Sequence, residues 1–252
     1  MKKHHVLYER GDRRWTVIYQ DPDKNEHVLD SNEYLISVGD QHMLLDPGGF
    51  AIFPAVFSTL VQLIDPSKDL KFVFASHQDP DIASSLSLWQ KINPEIKCYI
   101  SWLWKSFVPH FGGTDETYIA IEDKGQILEF NGYKLQVVPA HHCHSAGNFH
   151  LYDPASKIYF SGDVGAALVP DNQRRLFVED FEAHVPNIEY FHRRWFGSNA
   201  HKNEWCDRAL AMDIELLCPQ HGAIYVGPQV KQFLQWFRAL NVGTTSNKGL
   251  TV

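Results

Sequence analysis

His77, Asp79 and Asp81 crowd one short loop, Ser76-His77-Gln78-Asp79-Pro80-Asp81-Ile82, directly after the apolar run Phe72-Val73-Phe74. Imidazole nitrogen and carboxylate oxygen are donors that first-row divalent metals accept, so the loop reads as part of a metal site. His144, Asp163 and His221 each stand further along where an apolar, strand-like run breaks into a turn. A carboxylate can bridge two ions, so three histidines and three aspartates from four separated loops suffice for a dinuclear centre. Three carboxylates against two divalent cations leave a net charge of about plus one, with coordination positions still open.

Each of these residues alone has a plainer explanation. An aspartate at a helix start is usually an N-cap, which would account for Asp81. A histidine before glycine in a turn, like His221, is more often hydrogen-bonded at a surface, and Ser161-Gly162-Asp163 alone would be a turn. Their joint occurrence in this order favours the metal. The four cysteines, Cys98, Cys143, Cys206 and Cys218, have no C-x-x-C spacing and read as reduced thiols. Cys143, although beside the histidines, is expected to be a small packed thiol rather than a ligand.

The elements that must position these side chains follow from periodicity and turn residues. Strands are expected at 15–19, 34–38 and 42–45, the last two forming a hairpin around Gly39-Asp40. A helix over 53–64 stops at Asp65-Pro66, and a strand over 71–75 delivers the first ligand loop. A helix over 83–92 then begins just after Asp81, so its first-turn amides favour negative charge there. Strands follow at 96–100, 127–130, 134–138, 148–152 and 157–160, the last ending in Ser161-Gly162-Asp163. Residues 181–212 mix helical and loop signals around Pro186 and Gly197; a last strand carries His221 into Gly222; an amphipathic helix closes the chain over 230–240, ahead of a frayed tail at 244–252.

The composition bounds the rest. With 252 residues, 44% hydrophobic and 13% aromatic, the chain can bury a large core, and residues 1–252 are expected to form a single domain. A formal charge of −7 with no Lys/Arg run longer than two residues disfavours a nucleic-acid partner. The N-terminus has no apolar leader and no stretch of about 18 apolar residues exists, so a cytoplasmic protein without membrane insertion is expected.

The ligand order resembles the metallo-β-lactamase fold across nearly the whole chain. That superfamily's first loop reads H-x-H-x-D-H, and its flavodiiron branch reads H-x-E-x-D-H. Here Asp79 replaces the second ligand and Ile82 the last histidine. His144-Ser145-Ala146-Gly147 is similar to the superfamily's next ligand segment, Ser161-Gly162-Asp163 to its bridging aspartate and Pro219-Gln220-His221-Gly222 to its final ligand. Leu44-Leu45-Asp46-Pro47-Gly48 is similar to its early structural turn.

The resemblance implies an α/β architecture, a four-layer αββα sandwich. It implies His77, Asp79 and His144 on one metal, Asp81 and His221 on the other, and Asp163 bridging. Ile82 cannot ligate, which leaves room for an exogenous ligand beside an apolar wall. Asp79 in place of histidine hardens the donor set, so two Fe ions are expected over zinc, with O2 held as a di-iron peroxo adduct. Flavodiiron reductases carry a flavodoxin domain behind this one; none follows here, so no FMN is expected. The chain is similar to stand-alone oxygen-binding di-iron proteins that report to chemotaxis receptors, and it is expected to be an oxygen sensor with a chemotaxis receptor or signalling protein as partner, working as a monomer or weak dimer. The alternatives are an O2 or NO reductase fed by a separate donor, and a dinuclear metal-dependent hydrolase. His141, His142 and His150 are candidates for orienting ligands.

Overall fold

The computed structural model describes residues 1–24, 27–169 and 173–244, in two compact units, Met1–Val138 and Pro139–Val252. In the first unit, β1 (Lys3–Arg10), β2 (Arg13–Tyr19), β3 (Glu33–Val38), β4 (Gln41–Leu45), β5 (Leu70–Phe74), β6 (Lys97–Ser101) and β7 (Tyr118–Ile121) form one sheet in that spatial order. β1 to β4 pair antiparallel, and β4 to β7 run parallel. Parallel neighbours need crossovers, and helices supply them: α1 (Phe53–Leu60) between β4 and β5, then α2 (Pro80–Ala83) and α3 (Leu86–Ile92) between β5 and β6.

These helices bury one face. Val56, Leu60, Ile82, Leu86 and Trp89 join Ile18, Leu35, Leu44, Val73 and Ile100 in a single core cluster. Phe53 meets Trp89 edge-on, with ring centroids 4.8 Å apart. β3 is buried on both faces except at Ser37, which is why it reads as a nearly continuous apolar run.

Several elements differ from expectation, and β7 falls where no strand was expected. β1 was not foreseen: KHHVLYER is polar on both faces, and the strand lies exposed at the sheet edge. α1 ends at Leu60 rather than continuing to 64, and Leu63 N–H bonds back only three residues, to Leu60 O. The helix expected over 83–92 is two pieces, because Ser84 and Ser85 turn their hydroxyls to backbone carbonyls, Ser84 to Pro80 O and Ser85 to Gly48 O. The helix also starts earlier, at Pro80.

The first unit closes with α4 (Trp102–Lys105) and the hairpin of β8 (Gln126–Phe130) and β9 (Tyr133–Pro139). Its two-residue turn, Asn131-Gly132, has φ of +44° and +83°, as a primed turn requires. The Asn131 amide donates to Val38 O at 2.9 Å, tying the hairpin to β3.

The second unit contains β10 (Phe149–Asp153), β11 (Ile158–Phe160), β12 (Leu216–Cys218) and β13 (Tyr225–Val226), in the order β13-β12-β11-β10. Only β11 and β12 are parallel. The region of mixed signals resolves into α5 (Phe181–Trp195) and α6 (Asn199–Leu210), each opened by a side-chain cap, Asp180 on Ala183 N–H and Ser198 on His201 N–H. The closing helix is α7 (Pro228–Ala239). The expected tail lies outside the described residues except for Thr244, whose N–H donates to Arg193 O at 3.2 Å. Among the described residues no helix is long and apolar enough to cross a membrane.

Candidate metal centre

β5 ends at Phe74, and the chain runs through Ala75, Ser76, His77, Gln78 and Asp79 into α2, so the loop occupies a strand-to-helix turn. Asp46, at φ +42° directly after β4, holds that turn from the neighbouring strand. Ser76 donates to it twice, from its N–H to Oδ1 and from its O–H to Oδ2, both at 2.7 Å. The single hydroxyl proton of Ser76 is thereby committed to a carboxylate that only accepts. The 2.9 Å contact of Ser76 Oγ with His77 Nδ1 therefore has the imidazole as donor. His77 carries its proton on Nδ1 and turns a lone pair out on Nε2, the form a metal ligand takes.

His77 Nε2 lies 3.4 Å from Asp79 Oδ2. Two donors each about 2.1 Å from one ion sit roughly 3.0 to 3.4 Å apart, so this spacing suits a shared metal. Asp79 is the N-cap of α2, but its side chain makes no capping bond. Asp81 is half-buried in the first turn. Ile82, where the family pattern carries histidine, is fully buried in the core cluster.

In the second unit the loop from Ala140 to Asn148 carries His144. Backbone bonds close it, with Ala140 N–H to Asn148 O at 2.9 Å and His142 N–H to Ser145 O at 2.8 Å, and the Asn148 amide donates to Cys143 O. Asp163 follows β11, and His221 follows β12. Asp163 Oδ2 is 2.8 Å from His144 Nε2, and its other oxygen, Oδ1, is 3.6 Å from His221 Nε2. One carboxylate thus turns one oxygen to each of two histidines. Asp163 and His221 are buried at 5% and 3% exposure.

The structure brings His77 to Asp79, and His144 and His221 to Asp163. His150 is fully buried in a core network, receiving Trp205 Nε1–H at 3.0 Å and lying 3.2 Å from Tyr159 Oη, with Asn148 as its link to the His144 loop. His141 packs edge-on against Phe149, while His142 is exposed and lies against the His201 ring, with centroids 4.5 Å apart. Cys143 is fully buried, and burial pushes its thiol up, so it stays protonated. Sequence reasoning missed the Ser76–Asp46 pair as the support of His77. It also missed His192, a buried α5 residue beside the Asp163 loop whose pKa burial lowers to about 4.

Residues 29–222 match the family described as ODP family beta lactamase. Two similar solved structures are a peroxy diiron species of chemotaxis sensor ODP, 37% identical with a TM-score of 0.84 over 96% of each chain, and the apo state of chemotaxis sensor ODP from T. denticola, 38% identical with a TM-score of 0.83 over 97% of each. A variant flavo di-iron protein from Thermotoga maritima is 21% identical, with a TM-score of 0.78 over 94% of this chain and 61% of that one, a likeness of fold. An uncharacterized protein of Methanocaldococcus jannaschii is 24% identical over 88% of this chain, which spans only 55% of that relative.

Proposed function

This chain belongs to the ODP beta-lactamase family, and we propose on that premise that it is a non-haem di-iron protein that binds O2 and serves as an oxygen sensor in chemotaxis signalling. Its fold is the metallo-β-lactamase-like α/β fold of flavodiiron cores, with two sheets and helices. The observation that carries the reading is 37% identity across 96% of both chains with a chemotaxis sensor ODP whose structure is of a peroxy diiron species.

The ligand assignment rests on the resemblance and is supported by the donor chemistry within each unit. His77, Asp79, His144 and Asp163 each offer a ligand atom. In this reading His77, Asp79 and His144 hold one iron, Asp81 and His221 hold the other, and Asp163 bridges, with residues 1–252 acting as one di-iron domain. Two ferrous ions, when bound, supply the electrons with which O2 is held. The chain's own residues do the rest: Asp46 and Ser76 fix the His77 tautomer, and Asp163 aligns His144 and His221. A chemoreceptor or signalling protein is the partner, and the cytoplasm is the place of action.

The test is anaerobic reconstitution with ferrous iron, a metal count per chain, and the optical spectrum after one pulse of O2. About two irons and a long-lived visible charge-transfer band are expected. Rapid decay with continuous O2 or NO loss under added reductant would make the protein an oxidoreductase. Tight zinc without iron would overturn both the sensor and the oxidoreductase readings and leave a metal-dependent hydrolase as the alternative.

A further inference from the structure

His192 stands on α5, outside every ligand loop, and is fully buried. Both of its ring nitrogens are committed, in opposite senses. Nδ1 lies 2.8 Å from Ile188 O, which only accepts, so the proton is on Nδ1. Nε2 receives Gly165 N–H at 3.0 Å, so the lone pair is on Nε2. The partners dictate one neutral tautomer, and a second ring proton would set two donors against each other.

Gly165 is two residues past Asp163, at φ +98°, and its carbonyl accepts Tyr225 O–H at 2.9 Å. Ala166 N–H closes the same turn on Asp163 O at 3.1 Å. The other arm of His192 is packing. Its ring lies flat on Phe196, with centroids 5.1 Å apart and planes 6° apart, and Phe196 meets the His144 ring at 6.0 Å and 75°. One buried imidazole therefore bears on the Asp163 turn by a hydrogen bond and on His144 through a phenyl ring.

We propose that His192 is a positioning residue for His144 and Asp163, holding the two side chains in register before any ion arrives. The inference rests on reading those two residues as metal ligands. A buried imidazole kept neutral suits this task, because its hold on the Asp163 turn persists at any pH well above about 4.

The experiment compares His192→Phe, which keeps a ring and removes both bonds, with His192→Gln, whose amide can donate and accept. In metal-free protein, Gly165 amide exchange should rise at least about tenfold in the Phe variant, and Co2+ affinity should fall about 10- to 100-fold. The Gln variant should recover much of both. Phe196→Leu should shift the His144 ring signals in nitrogen-15 spectra while leaving Gly165 exchange unchanged, and it carries the test if the Phe variant does not fold. Wild-type exchange and Co2+ affinity in a folded His192→Phe protein would overturn the proposal, as would equal losses in the Gln and Phe variants. If the wild-type protein takes up neither Co2+ nor iron, the ligand reading fails instead, whatever the exchange data show.

Discussion

Gly49 lies against the backbone that carries Asp81: a β-carbon on Gly49 would come 2.9 Å from Asp81 Cα and 3.1 Å from Pro80 O. Backbone atoms cannot rotate away as a side chain can. Gly49→Ala must therefore displace α2, a single turn of helix, and with it Asp81. The expected outcome is loss of one metal equivalent with the fold retained, read as iron per chain beside far-ultraviolet circular dichroism.

Asp163→Asn leaves one side-chain oxygen where two are in use, toward His144 and His221. An amide is neutral and its nitrogen cannot ligate, so a bridge is no longer available. Iron content should fall from about two per chain to one or fewer, as measured by metal analysis after anaerobic loading.

Ser76→Ala removes the hydroxyl that donates to Asp46 and accepts from His77. His77 then loses the contact that keeps its proton on Nδ1. Metal affinity should drop about 10- to 100-fold, and Ser76→Thr, which keeps the hydroxyl, should restore most of it. A competition titration with a coloured chelator would measure both.

Stability should depend on pH through Glu33. This carboxyl is buried with Lys2, whose Nζ is 2.8 Å from Glu33 Oε2 and 2.9 Å from Asp30 Oδ1. Burial outweighs the lysine and raises its pKa from 4.5 to about 7. The native state therefore holds a proton that the unfolded chain releases near 4.5, so this contribution is complete below that pH and is lost as pH rises through about 7. Urea midpoints across that window should fall more steeply with pH in the wild type than in Glu33→Gln.

Trp89 sits at the centre of the first unit's core, 1% exposed, with Phe53 edge-on against it and Phe57 tilted at 6.2 Å. Trp89→Ala should cost about 3 to 5 kcal/mol, mostly as an unfilled cavity. Chemical denaturation would show it as a lowered midpoint, and if the slope is unchanged the loss is one of stability alone.

Local pattern made much of the fold legible. The hairpin around Gly39-Asp40, the strand before His77 and the closing helix were visible because alternation, turn residues and helical spacing are short-range signals. β1 was hidden because an edge strand open on both faces needs no apolar alternation. The break between α2 and α3 was hidden because serine disrupts a helix only when its hydroxyl finds a backbone carbonyl, and Ser85 finds that of Gly48, 37 residues away.

The sequence by itself determined which side chains could hold a metal and that they stand at strand ends, because donor chemistry is a property of residue type and strand-to-turn boundaries are local. Only the tertiary structure decided how those side chains are aimed. The His77 tautomer is set through Ser76 by Asp46, 30 residues upstream of that serine, and the Asp163 turn is held by His192, 27 residues beyond Gly165. Hydrogen bonds between residues so far apart in sequence exist only once the strands and helices that carry them have packed.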